Sequence, residues 1–297
     1  MKRTIIAASS AVLLLGSLAA CGNGANSNTS PSIAPTTTAT ASVPADPAQT
    51  ATAPVTAPEP SVAVPEQPSP SPSSSPAREE TVALTYRMNK AYRIVPIDKE
   101  QSPSKVVLLT FDDGPKDEET LKPLLDTLDK HKAKAIFFVN GYRVKAHPEL
   151  LKEIGERNQV IGNHSWDHIE LGKEKADKIK EQIGKVQDIV KEVTGTTPVF
   201  FRPPFASSND AVRQVAKDNG LLFMTWSNGS LDWDMNKLAP EKRPQAVIDN
   251  VMEQLHEGSN ILMHELSWTA EALDDLLTQL EQKGYSFVDP NAIDPTI

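Results

Sequence analysis

The sequence predicts an α/β domain folded as an incomplete, distorted (β/α) barrel of about seven parallel strands. Two observations carry this prediction. Short apolar runs of strand length alternate with amphipathic helical patterns between residues 106 and 288. Each cluster of chemically versatile polar residues also falls just past the C-terminal end of one of those runs, where barrel enzymes put their active sites. A flat, doubly wound sheet is the rival arrangement for the same alternation.

In chain order, residues 81–98 alternate apolar and polar positions (Val82, Leu84, Tyr86, Met88, then Tyr92 and Ile94) around Asn89-Lys90. This predicts a β-hairpin laid on the outside of the domain. Strand-like runs follow at 106–110, 135–139, 159–162, 199–202, 221–225, 260–263 and 285–288. Helical patterns fall at 118–130, 148–157, 173–193, 210–219, 244–257 and 269–283. Pro148 suits the first turn of its helix, and Gly195, Gly220, Gly258 and Gly284 stand where helices stop. The run Val106-Val107-Leu108-Leu109 is apolar throughout, so it reads as a fully buried strand.

Residues 1–21 read as a targeting segment. Lys2 and Arg3 give a positive start, an apolar stretch from Ile5 to Leu18 follows, and small residues lead into Cys21. Leu18-Ala19-Ala20-Cys21 looks like a bacterial lipobox, with Cys21 as the lipid-attachment residue. Cys21 is the only cysteine, which fits anchoring and forbids an internal disulfide. Residues 22–80 are almost wholly Pro, Ser, Thr, Ala, Val and Asn without apolar periodicity, so they read as a disordered tether. At roughly 3 Å per residue it would reach well over 100 Å. The remaining stretch, 81–297, is large enough for one domain. The expectation is therefore a monomeric domain, lipid-anchored at the extracellular face of the cell membrane. A net charge of −9 without a basic stripe argues against nucleic acid and favours neutral or amine-bearing substrates.

Thr110-Phe111-Asp112-Asp113-Gly114-Pro115 ends the first run of the domain with two adjacent acids and a turn. Buried acids are costly unless paired or metal-bound. Neighbouring strand residues point in different directions, so one acid could hold a cation while the other stays free as a base. Past the third run, His164 and His168 stand four residues apart. That spacing puts both on one face of a helical turn and, with a strand-end Asp, completes a two-His, one-carboxylate set with open positions. Past the fourth, Arg202 lies among apolar residues and must find a carboxylate, while Pro204 leaves the Phe205 amide fixed and free to donate. Asp232-Trp233 follows the fifth run, and Leu262-Met263-His264 ends the sixth.

These five clusters together resemble the motifs of the NodB-type polysaccharide deacetylases, carbohydrate esterase family four. They are Thr-Phe-Asp-Asp-Gly-Pro at 110–115, His-Ser-x-x-His at 164–168, Arg-x-Pro-aromatic at 202–205, Asp-Trp at 232–233 and Leu-x-His at 262–264. The resemblance runs from about residue 105 to 288 and implies the family's distorted (β/α) barrel. It further implies Asp113, His164 and His168 as ligands of one divalent metal ion. Zinc is the leading candidate, with cobalt, nickel or manganese as alternatives. By the same resemblance Asp112 is the general base with Arg202 as its partner, His264 the general acid, and Asp232 the group that orients it. Phe205, Trp233 and Leu262 would bind substrate. Two positions depart from the family's common pattern: Ala206 replaces a frequent Gly, and Gly229 a frequent Asp. The implied reaction is removal of N-acetyl groups from amino-sugar polymers of the cell wall, peptidoglycan or chitin-like. Two other readings compete with it: an esterase for O-acetyl groups, and a glycan-binding lipoprotein with a dead site. Every motif residue that the chemistry needs is present, which counts against the second.

Overall fold

The computed structural model describes residues 82–296, so the signal segment, Cys21 and the 22–80 tether lie outside the described residues. The described residues open with a hairpin, β1 (Tyr86–Met88) and β2 (Ile94–Pro96), paired antiparallel with Met88 opposite Ile94. Then follow β3 (Val106–Gly114), α1 (Glu118–Lys130), β4 (Ala135–Val139), α2 (Gly141–Ala146), α3 (Pro148–Glu156), β5 (Val160–Asn163) and α4 (Ala176–Thr194). The second half holds β6 (Phe200–Phe201), α5 (Asp210–Asp218), β7 (Leu222–Phe223), β8 (Asn228–Gly229), α6 (Arg243–Glu253), β9 (Ser259–His264), α7 (Ser267–Gln282) and β10 (Ser286–Phe287).

The strands from β3 onward form one sheet in the order β7-β6-β5-β4-β3-β9-β8, with β10 beside the start of β3, and every pairing is parallel. No ladder joins β7 to β8 among the described residues, so the sheet curls into a barrel that stays open on one side. The predicted seven strands are all present; β8 is an eighth, too short at two residues to leave an apolar pattern.

Alternation along β3 explains both the buried run and the position of the site. Val107, Leu109 and Phe111 pack outward against Leu121, Leu124, Leu125 and Leu128 of α1 and Leu273, Leu276 and Leu280 of α7. Val106 and Leu108 point inward, to Ile136, Phe138, Phe200, Leu222 and Met224. The inner series then continues with Thr110 and Asp112, so the barrel interior changes from apolar to polar toward its C-terminal mouth.

Three points refine the expectations. First, the hairpin is a separate two-stranded sheet whose apolar face turns inward, with Tyr86 and Ile94 buried in the inner cluster with Val288 and Ile293. Its backbone sits directly on Gly258 (φ +73°), where a Cβ would meet the Ile94 carbonyl at 2.0 Å. Second, α2 was not expected, because six residues are too few to show a helical period. Third, the helix expected over 244–257 ends at Glu253. There Gln254 turns its side chain onto β8, donating to the Gly229 carbonyl at 2.8 Å and accepting its amide at 3.2 Å.

Candidate active site

A bulge in β3 aims two consecutive acids at one place. The β3–β4 register shifts between Asp112 and Gly114, and Asp113 takes a left-handed backbone (φ +68°) that disfavours any residue but glycine or Asn/Asp. Regular strand geometry would send the two side chains to opposite faces. With the bulge, Asp112 Oδ2 and Asp113 Oδ1 each lie 3.6 Å from His164 Nε2.

His164 and His168 do not share a helical turn, as their spacing suggested. They lie in a loop after β5 in which Ser165 (φ +63°) and His168 (φ +54°) are left-handed, and this folds the second imidazole back toward the first. The rings sit 5.1 Å apart, and His168 Nε2 is 3.0 Å from Asp113 Oδ1. The local strain at Asp113, Ser165 and His168 is of the kind concentrated at functional sites.

Second-layer contacts fix the donors. His164 Nδ1 pairs with the Arg202 carbonyl at 2.7 Å, which places the proton on Nδ1 and leaves the Nε2 lone pair facing Asp113. Asn140, at the end of β4, donates to the His164 carbonyl at 2.8 Å. One ligand atom from each of Asp113, His164 and His168 lies within 4.8 Å of the other two. The buried Asp113 Oδ1 is approached by His168 Nε2 at 3.0 Å and His164 Nε2 at 3.6 Å, a costly convergence of three ligand atoms unless a proton or a cation lies among them. Burial resists charging Asp113, but the hydrogen bond from His168 and the imidazoles around it hold its carboxyl well below the usual range. Burial pushes the His164 imidazole down, against the pull of Asp112 and Asp113, and so keeps it neutral as a ligand must be. The donor set therefore fits one divalent cation, with positions left for water or substrate.

Arg202, fully buried at the end of β6, crosses the barrel beneath the mouth. Its Nη1 donates to Asp112 Oδ1 at 2.7 Å and to Thr110 Oγ1 at 2.8 Å. Its Nη2 donates to the Thr225 carbonyl at 2.8 Å and to Asn260 Oδ1 at 3.3 Å, and the guanidinium lies over the Phe138 ring. One Asp112 oxygen is thereby pinned, while the other is turned to the mouth.

Across the mouth, Asp232 is fully buried after the left-handed Leu231 (φ +56°). Its Oδ1 meets His264 Nδ1 at 2.7 Å, and its Oδ2 accepts the His264 amide at 2.7 Å and Thr269 Oγ1 at 2.8 Å. Burial disfavours a charged His264, but the Asp232 carboxylate outweighs it and pushes the imidazole up to about 8. Leu262 lies one step below His264 on the inner face of β9 and is buried. Trp233 is half-exposed, edge-on to His264 at 5.4 Å, and Phe205 is exposed, edge-on to His168 at 4.7 Å. All ten expected domain residues therefore line or support one mouth; Cys21 lies outside the described residues.

Sequence reading missed several residues that hold this arrangement. Thr110, in the first motif, donates to the Ile261 carbonyl at 2.6 Å and accepts from Arg202. Asn260 braces the guanidinium, and Trp268 and Thr269 bring the start of α7 onto Asp232. The available signal was position: Thr110 and Asn260 are polar residues at inward steps of otherwise apolar strands. Glu265, next to His264, was overlooked. It is 1% exposed, and burial pushes it up to about 7 despite the Lys116 amide and charge nearby.

Comparison with known proteins agrees with this geometry. Residues 99–224 match the family model described as polysaccharide deacetylase. The chain is 36% identical over 185 residues to the peptidoglycan-N-acetylmuramic acid deacetylase PdaA of Bacillus subtilis, a match covering 62% of this chain and 69% of that protein. It is 37% identical over 195 residues to the peptidoglycan-N-acetylglucosamine deacetylase PgdA of Listeria monocytogenes, covering 65% of this chain but only 40% of that protein. Among solved structures, a CE4 family pseudoenzyme from Bacillus anthracis superposes with a TM-score of 0.59 at 31% identity, covering 64% of this chain and 66% of that one. With the half-open parallel barrel and its polar mouth, these likenesses establish that the chain belongs to the polysaccharide deacetylases of the NodB type, carbohydrate esterase family four.

Proposed function

We propose that this protein is a metal-dependent hydrolase that removes N-acetyl groups from amino-sugar polymers of the cell wall, with peptidoglycan as the favoured substrate. The observation that carries the reading is the pairing, across one mouth, of a three-donor cation site with a buried His–Asp dyad on the opposite wall. That several relatives are named as peptidoglycan deacetylases supports the polymer class.

Asp113, His164 and His168 hold the cation in this proposal. A divalent ion there would lower the pKa of a water and polarise the acetyl carbonyl. Asp112, oriented by Arg202, accepts the proton of the attacking water through the oxygen turned to the mouth. The Phe205 amide donates to the developing oxyanion, an interaction worth roughly 3 kcal/mol per donor. An amine leaves poorly unless protonated. His264, kept cationic by Asp232, supplies that proton from the opposite side. Leu262 and Trp233 wall the space for the acetyl methyl.

The test is mass spectrometry of peptidoglycan, chitin oligomers and acetylxylan after incubation with the protein. Loss of acetyl groups from amino sugars is expected. Loss confined to acetylxylan would replace the reading with an O-acetyl esterase, and no loss from any of them would contradict it.

The deployment of the enzyme is part of the same proposal: a signal at 1–21, lipid on Cys21, a tether at 22–80 and a monomeric catalytic domain at 81–297, acting at the extracellular face of the membrane. Among the described residues, no helix is long and apolar enough to cross a membrane. Cys21→Ser is expected to shift the protein from the membrane fraction to the soluble fraction, or to leave its signal uncleaved, with activity on soluble oligosaccharides unchanged. Fractionation showing a cleaved, still membrane-bound variant would exclude the anchor.

A further inference from the structure

Glu265 is a buried carboxyl for which the proposed reaction has no use. It lies immediately after His264, and no hydrogen bond reaches its Oε1. No ion pair among the described residues accounts for its burial. Its remaining contacts all fall on one segment. The Glu265 amide donates to the Asp112 carbonyl at 3.3 Å, just before the bulge. Its Oε2 accepts the Lys116 amide at 2.8 Å, just after it. Between these two ties, the carboxyl lies against Gly114, where an added Cβ would come within 2.7 Å of Oε2. Gly114 is held from the other side by the Asn140 amide, which donates to its carbonyl at 2.9 Å.

A left-handed Asp113 is an unfavourable conformation that must be held by its surroundings. Both ends of the segment that carries it are fastened to Glu265, the residue that follows β9. We propose that Glu265 is a positioning residue for Asp113: by spanning the bulge from the Asp112 carbonyl to the Lys116 amide, it holds the Asp113 carboxylate in its ligating direction. The inference rests on the metal-site reading above. It also explains why an acid is tolerated at this depth, since the site needs an acceptor for an otherwise stranded amide rather than a charge.

The experiment is zinc affinity by competition with a chromophoric chelator, alongside kcat, KM and the melting temperature of the metal-free protein. Glu265→Gln keeps an acceptor of the same length and should bind zinc and turn over like the wild type. Glu265→Met fills the same space without an acceptor. Its zinc affinity is expected to fall at least tenfold, the usual scale for loss of an outer-shell support. At subsaturating zinc its kcat should fall with KM unchanged, and its metal-free melting temperature should be equal or higher. Gly114→Ala crowds the same contact from the opposite side and should weaken zinc as well, which keeps the test decisive if the Met variant does not fold. Wild-type zinc affinity in either the Met or the Ala variant would overturn the inference, as would equal loss in Gln and Met. Failure of the wild type itself to bind zinc would instead overturn the underlying metal-site reading.

Discussion

Asp112→Asn is expected to keep its metal and lose two or more orders of magnitude in turnover, whereas Asp113→Asn is expected to lose both. The two acids are adjacent in sequence and lie at the same 3.6 Å from His164 Nε2, so proximity alone does not tell them apart. Their partners do. Asp112 is tied to Arg202, a cation that already neutralises it, and so has little to offer a second cation. Asp113 is ion-paired with no arginine or lysine among the described residues, and its Oδ1 lies between the two imidazoles, 3.0 Å from His168 Nε2 and 3.6 Å from His164 Nε2. Replacing the Asp112 carboxylate by an amide preserves shape and still accepts from Arg202, but it cannot take a proton from water. The general-base contribution of about 10²–10⁴ is then lost. Elemental analysis beside kcat separates the two variants, and equal metal content in both would show that their roles were misassigned.

The second large effect concerns the opposite wall. Asp232→Asn should reduce kcat by about 10²–10⁴ and move the alkaline limb of its pH profile to lower pH. Burial by itself would drive His264 below its ordinary value, and the Asp232 charge lifts it to about 8. An acid works only while protonated, so the wild-type rate should fall as pH rises through about 8. Without the carboxylate, the same fall should begin below neutrality. Stability follows the same sign. Because the folded-state value lies above the unfolded one, the dyad contributes about 2 kcal/mol that is fully present below about pH 6.5 and is lost as pH rises through about 8. An Asp232→Asn enzyme whose alkaline limb stays at the wild-type position would show that His264 is not the titrating acid.

Much of this architecture was legible in the chain. Parallel strands buried on both faces must be apolar throughout, so Val106 to Leu109 and Ala135 to Val139 announced themselves without alternation. The site was legible because the barrel puts strand ends together. Asp112, His164, Arg202 and His264 end or follow four strands that neighbour one another directly or at one remove in the sheet. What stayed hidden was backbone geometry that no local composition marks. Asp113, Ser165, His168, Phe205 and Leu231 are all left-handed without being glycine, so the usual signal for that conformation is absent. The spacing of His164 and His168 therefore suggested a helical turn where the chain makes a folded-back loop. The hairpin's alternation correctly showed one buried face, but not which surface that face would cover. Glu265 and Thr269 went unnoticed because a polar residue at the start of a helix is ordinarily read as solvent-facing, whereas here both are buried against the site.

The most direct test of the account is acetate release from peptidoglycan by protein stripped of metal with a chelator and then titrated with zinc. The account predicts negligible release from the stripped protein and a linear recovery that saturates at one zinc per chain. Undiminished release without metal, or recovery that does not track occupancy of the Asp113–His164–His168 site, would contradict it.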